Sequence, residues 1–165
     1  IIAANMHRIM LPRQSQIWAV IKAGQPLQKL YYQICSGLLG RLCFSGQPDA
    51  LSPEQWAVID AGIAFYQKAV PVIDHGQSSF FGPSVASYRA PRGWQTIVRH
   101  STAYTLAVAH TFSEAPDTIS LPVSGRVHAV FARPGITAVQ NDLTKSLCLQ
   151  GLRDFDAAAV LLQKE

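Results

Sequence analysis

The sequence predicts an α/β segment followed by an all-β module, and three observations carry that reading. In the first half, short runs of β-branched and aromatic residues alternate with helix-spaced apolar stripes. In the second half, short β-forming runs recur at roughly the 8–12-residue spacing of an antiparallel sandwich. Between them, Gly, Pro and Ser punctuate "DHGQSSFFGPS" and "RAPRG". That shift puts a boundary near Ile73 to Ser84, with units over 1–75 and 76–165.

The elements follow in order. "IIAANMHRIM" places Ile2, Met6, Ile9 and Met10 at helical spacing, so the chain should open on a helix. That helix should stop at Leu11-Pro12, because proline restricts its predecessor. "SQIWAVI" reads as a strand buried on both faces, with Trp18 expected in the core and stacking on a ligand ring as its alternative. "LQKLYYQICSGLLG" sets Leu27, Leu30, Tyr31, Ile34 and Leu38 on one helical stripe. "RLCFSG" is a second strand, closed by Gly46 and Pro48.

"LSPEQW" carries the sharpest local signal. Ser52 suits an N-cap, Pro53 the first helical position and Gln55 the return partner of a capping box, with Leu51 and Trp56 placed as a hydrophobic staple. The helix should run to about Ala69 and end at Pro71, with Trp56, Ile59, Ile63, Tyr66 and Val70 facing a core. Beyond the break, "WQTIVRHS", "AYTLAVAHTF", "DTISLPV", "RVHAVFA", "GITAV", "KSLCLQG" and "AAAVLL" read as successive strands.

Composition excludes several classes of function. Charged residues make up 15% of the chain, against a usual share of about 25%. That deficit excludes disorder and fits extensive burial, some of it expected against polypeptide outside these residues. No run approaches the ~20 apolar residues of a membrane span, and the opening lacks the basic lead and long apolar core of a secretory signal. The net charge is +4, but its Lys and Arg are scattered singly, unlike the concentrated face of a nucleic-acid binder. Cys35, Cys43 and Cys148 are expected as buried, reduced thiols of a cytoplasmic protein. Their spacing offers no zinc pair.

Whole segments also carry a family likeness. "PRQSQIWAV", "LGRLCFSGQPDALSPEQWAVIDAGIAFY" and "VPVIDHGQSSFFG" resemble the last βα units of α-galactosidase-like (melibiase-type) glycoside hydrolases related to family 36. "GWQTIVRHS", "LAVAHTF" and "TISLPV" are similar to their C-terminal sandwich. The resemblance implies the end of a (β/α)8 barrel followed by a C-terminal antiparallel β-sandwich. "SQIWAVI" and "RLCFSG" would be its seventh and eighth strands, and "IIAANMHRIM" the helix after the sixth. It implies a retaining hydrolase of terminal α-galactosides or related α-glycosides, of which this chain is the tail. An oligosaccharide or α-galactoside would be the partner, with no cofactor, and a homo-oligomer is open.

Retaining glycosidases need two carboxylates about 5–5.5 Å apart, a nucleophile and an acid/base. In the resembled family both are Asp residues at the ends of earlier barrel strands. Here Glu54 falls in the first turn of a helix, where it favours the macrodipole, and Asp60 in that helix's body. The rest, through to Glu165, fall in loops or beside turns, with Asp154 and Asp156 solvated at an edge. No catalytic residue is therefore expected within the chain. Barrel sites lie at the C-terminal mouth of the strands, so Ser45, Gly46 and Gln47 are the candidate sugar-binding residues. Gly46 would allow close backbone approach and the other two would hydrogen-bond hydroxyls; a plain turn with two solvated neighbours is the alternative.

The remaining chemistry is thin. His7, His75, His100, His110 and His128 show no ligand spacing; His100 and His110 could meet across a hairpin, but two histidines make a poor metal site. Ser45, Ser101 and Ser124 lack a nucleophile elbow. Two further readings concern the β module: a sugar-binding sandwich using Trp94, Tyr88 and Tyr104, or a structural buttress that covers barrel helices and helps the parent oligomerise.

Overall fold

The computed structural model describes residues 1–83 and 87–164; Ser84, at the far edge of the expected boundary, and Glu165 lie outside the described residues. The first unit holds α1 (Ile2–Met6), β1 (Gln16–Ile21), α2 (Leu27–Gly37), β2 (Arg41–Gly46) and α3 (Pro53–His75). β1 and β2 pair in parallel, Gln16 opposite Arg41 through to Ile21 opposite Gly46. The crossover between them is α2, as a parallel pair requires.

Eight antiparallel strands follow: β3 (Gln77–Phe81), β4 (Trp94–His100), β5 (Tyr104–Thr111), β6 (Thr118–Leu121), β7 (Arg126–Ala132), β8 (Thr137–Asn141), β9 (Ser146–Gln150) and β10 (Ala157–Gln163). They form one sheet in the order β3-β4-β5-β10-β7 and a second in the order β6-β9-β8. Strands make up most of the regular structure, with a few helices.

Alternation along the central strands divides the core in two. Leu106, Val108, Ala159 and Leu161 point toward the helices, into a cluster shared with Leu30 and Ile34 of α2 and with Ile59, Phe65 and Ile73 of α3. Ala107, Ala109, Val160 and Leu162 point the other way, onto Ile119, Leu121, Leu147 and Leu149 of the smaller sheet. The five-stranded sheet is thus sandwiched between helices and sheet, and its helical side is continuous with the core of the βα unit.

The capping box at Ser52 forms as read. The Ser52 hydroxyl accepts from the Gln55 backbone N–H at 3.3 Å, and the Gln55 side chain accepts from the Ser52 N–H at 3.1 Å. The far end of α3 differs from expectation: Pro71 lies inside the helix, which continues to His75. Proline removes one hydrogen bond there, but Val72 and Ile73 beyond it are fully buried. Arg99 of β4 also supplies partners to the helix end, its guanidinium donating to the carbonyls of Val72 at 3.2 Å and Gly76 at 2.6 Å. Such a cation satisfies orphan carbonyls and favours the helix C-terminus. The buried stripe of α3 is accordingly Val58, Ile59, Gly62, Phe65 and Ala69, whereas Trp56 is 41% exposed.

Three other expectations are corrected. The opening helix closes after Met6 rather than at Pro12. Asn5 diverts the backbone, its amide donating to the Ile1 carbonyl at 3.1 Å and accepting from Arg8 at 3.1 Å, and Ile9 finds no surface to cover. β3 arises from "QSSFF" inside the segment read as a break; it pairs with β4, and Ser78 accepts from Arg99 at 2.8 Å. β1 is buried on one face rather than two: Ile17, Ala19 and Ile21 face the helices, while Trp18 and Val20 are 55% and 41% exposed.

Candidate functional site

Because β1 and β2 run parallel and in register, their C-terminal ends lie side by side. The loop leaving β1 is pinned by glutamines. Gln55, buried at the start of α3, donates to the carbonyls of Lys22 at 3.1 Å and Gln25 at 3.3 Å, and Gln33 of α2 donates to the Val20 carbonyl at 2.9 Å. Gln55 thus both caps its helix and holds the loop after β1, a second role that the capping-box spacing does not reveal.

The three candidate sugar-binding residues stand at the strand ends. Ser45 is half-buried opposite Val20, on the same open face as Trp18 and Cys43. Gly46 has φ +122°, and a Cβ there would stand 1.8 Å from the Ile21 carbonyl oxygen. Only glycine permits that approach, and the approaching group is the neighbouring strand's own backbone. Gln47 is exposed, its N–H donating to the same Ile21 carbonyl at 3.1 Å. The three consecutive residues thus lie at the C-terminal end of β2, beside the end of β1. Trp18, expected in the core, joins them on the open face because strand alternation turns it away from the helices.

The other candidates disperse. His100 and His110 occupy opposite ends of the β4–β5 hairpin, His100 opposite Thr105 and His110 opposite Gln95, so that meeting does not occur. His110 is buried, with Nε2 3.0 Å from the Ser36 hydroxyl and its ring edge-on to Tyr32. Burial, and then the charge of the Ile1 amine, push it down to about 3. His7 is pushed down to about 4 by burial and by Arg99. Among the described residues no cluster of three or more His, Cys, Asp or Glu is arranged to hold a metal ion.

The acidic residues are also placed differently from expectation. Asp156 is 1% exposed rather than solvated: Arg133 donates to both its oxygens, at 2.8 and 2.5 Å, and the Arg153 N–H donates at 2.8 Å. The apolar strand that follows draws Asp156 inward, and a charge buried there needs such a partner. Asp154 stays at the surface, accepting from the Ala115 N–H at 2.9 Å, while Asp74 lies in α3 rather than in a loop. Of the three thiols only Cys35 is buried; Cys43 and Cys148 are partly exposed.

Nor do the sandwich aromatics form a row. Trp94 packs against the inter-sheet core, Tyr104 stacks near His128 at 5.5 Å at the other end of the hairpin, and Tyr88 stands exposed outside both sheets. No helix among the described residues is long and apolar enough to cross a membrane.

No family model matches the sequence, and no curated protein sequence matches it. Solved structures do match the fold, α-galactosidases among them. An α-galactosidase from Lactobacillus brevis superposes with a TM-score of 0.60 at 11% identity, over 94% of this chain and 23% of that one. The galactosidase domain of the α-galactosidase-sucrose kinase AgaSK gives 0.51 at 13% identity, over 87% and 21%. Eubacterium rectale Amy13B gives 0.51 at 9% identity, over 90% and 39%. The chain therefore shares its fold with part of each of these structures, and it spans less than a quarter of the two α-galactosidases it matches.

Proposed function

We propose that the chain is the C-terminal part of an α-galactosidase-like retaining glycosidase that cleaves terminal α-galactosides or related α-glycosides. In this reading residues 1–75 are the last βα units of a (β/α)8 barrel and 76–165 its C-terminal sandwich. The observation that carries it is the β1–β2 pair: a parallel sheet covered by helices on one side, with Trp18 and Val20 bare on the other. Parallel strands are normally covered on both faces, and a barrel interior supplies the second cover. The superposition on α-galactosidases, over less than a quarter of their length, supports the same reading. Ser45, Gly46 and Gln47 then line the sugar site at the strand ends, and the carboxylate pair comes from strands outside these 165 residues. Three unpaired thiols fit a cytoplasmic enzyme.

The test is turnover of a chromogenic α-galactoside by this chain and by the polypeptide encoded with its upstream reading frame. The longer protein should hydrolyse it and the 165-residue chain should not; turnover by the chain itself overturns the reading. In the longer protein, Ser45→Ala and Gln47→Ala should raise KM several-fold.

The shared core of α2, α3 and the five-stranded sheet favours a structural role for the sandwich, as a buttress for barrel helices; we further propose that it helps the parent oligomerise. Sedimentation of the longer protein with and without residues 76–165 checks it. An unchanged number of subunits per particle, together with an unchanged denaturation midpoint, would dismiss the buttress.

A further inference from the structure

Surface loops are ordinarily the mobile parts of a fold, yet residues 22–25, which leave β1, are tied down by three glutamines. Gln55 of α3 is 3% exposed, and its amide donates to two loop carbonyls, Lys22 at 3.1 Å and Gln25 at 3.3 Å. The Gln25 side chain donates to Gln33 at 3.1 Å, and Gln33 in turn donates to the Val20 carbonyl at 2.9 Å. The turn is made at Gly24, with φ +71°. The helix cap needs none of this. The Gln55 side-chain oxygen completes the capping box by accepting from Ser52, a task that glutamate performs equally well. Glutamate could not donate to Lys22 and Gln25. The amide nitrogen of Gln55 therefore serves the loop alone.

What the tether presents is Lys22. Trp18 and Val20 are exposed on the open face of β1, and the same alternation brings Lys22 next onto that face, where it too is exposed. One step beyond the Ile21–Gly46 pair, it stands opposite Gln47, a row further on than Ser45 opposite Val20. Among the described residues the ion pairs are Arg92–Glu114 and Arg133–Asp156, so its ammonium has no carboxylate partner among them. An ammonium carries three donors and no acceptor, which suits hydroxyl oxygens. Its backbone is fixed from behind while its head group is left open, as a pre-organised binding residue requires.

We infer that Lys22 is a further sugar-binding residue at the strand ends, donating to a hydroxyl oxygen of the glycoside beside Ser45 and Gln47, and that Gln55 is the positioning residue that holds it there. The inference rests on the barrel reading, in which the open face of β1 and β2 looks toward the substrate. Sequence spacing does not show it, because the loop after β1 is specified from residue 55.

Two measurements test the two halves. In the 165-residue chain, amide hydrogen exchange follows residues 22–25 without any need for activity. Gln55→Met keeps the reach of the side chain and removes its donors, and should speed exchange there by about tenfold, the scale of one lost hydrogen bond. Ser52→Ala weakens the same cap but leaves both loop bonds, and should not. Unchanged exchange in Gln55→Met overturns the positioning role, as does an equal increase in Ser52→Ala. In the longer polypeptide, turnover of the chromogenic α-galactoside reads the contact. Lys22→Met should raise KM by about tenfold with kcat within about twofold, as loss of binding common to ground and transition states requires. Lys22→Arg should recover part of that loss, Gln55→Met should raise KM in the same direction, and Ser52→Ala should leave it unchanged. An unaltered KM in Lys22→Met, with the wild type active, overturns the inference and leaves the barrel reading standing. Absence of turnover by the longer wild type overturns the barrel reading and the sugar contact with it.

Discussion

β1 and β10 are both short apolar strands, yet they occupy opposite surroundings. From Ala157 to Leu162 every residue of β10 is buried, because β5 and β7 flank it, helices cover one face and the smaller sheet covers the other. In β1 burial alternates strictly, and Trp18 faces out beside Val20. The two runs look alike in hydrophobicity. What differs is how many faces the rest of the chain can cover, and that count is set by topology. The five-stranded sheet has both faces covered, one by α2 and α3 and the other by the smaller sheet, whereas β1 and β2 are covered on one.

Predictions that press on this contrast begin with the buried acid just before β10. Arg133→Met strands the Asp156 carboxylate inside the protein, and breaking such a pair costs about 3–5 kcal/mol. Urea midpoints should show that loss, and Arg133→Met with Asp156→Leu should recover much of it. A single variant as stable as the wild type would mean that the sandwich tolerates an unpaired buried charge.

Next comes the pair of strands itself. Leu161→Ala should cost about 2–5 kcal/mol through transfer and cavity effects, and Trp18→Ala, on the open face, should change stability by no more than about 0.5 kcal/mol. Equal losses would erase the contrast.

Acid should act through the shared core. His110 is held down to about 3 and His7 to about 4, both below the unfolded value of about 6.5. The unfolded chain therefore binds more protons as pH falls through 6.5, so the stability these groups contribute is present above about 6.5 and is lost progressively toward pH 4 and then 3. Denaturation midpoints measured across that window should fall, and His110→Gln should flatten the slope. An unchanged slope would return His110 to solvent.

The smallest effect belongs to the cap. Ser52→Ala removes one half of the capping box on α3 and should cost about 1 kcal/mol by thermal or chemical denaturation. A loss near zero would mean that Gln55, through its bonds to the loop after β1, holds the helix end without it.

Local chemistry was the legible part of this sequence. The capping box needs only residues 52–55, and the strand runs of the second half need only alternation and turn residues. Long-range partners were not legible. Pro71 reads as a stop until Arg99, far along the chain, is seen to satisfy the carbonyls at the helix end. "QSSFF" reads as a break until β4 pairs with it. Asp156 reads as solvated until Arg133 reaches it, and His100 with His110 read as neighbours because hairpin register cannot be taken from composition. At the mouth, the sequence placed Ser45, Gly46 and Gln47 together but put Trp18 in the core, since an apolar run does not state how many of its faces will be covered.

The central claim is that the bare face of β1 and β2 awaits further polypeptide of a larger barrel. Hydroxyl-radical footprinting read by mass spectrometry reports the oxidation of Trp18 itself, and can be compared in this chain and in the longer polypeptide. Ready oxidation of Trp18 here and strong protection in the longer protein is the expected result. A Trp18 already protected in the 165-residue chain would contradict the account.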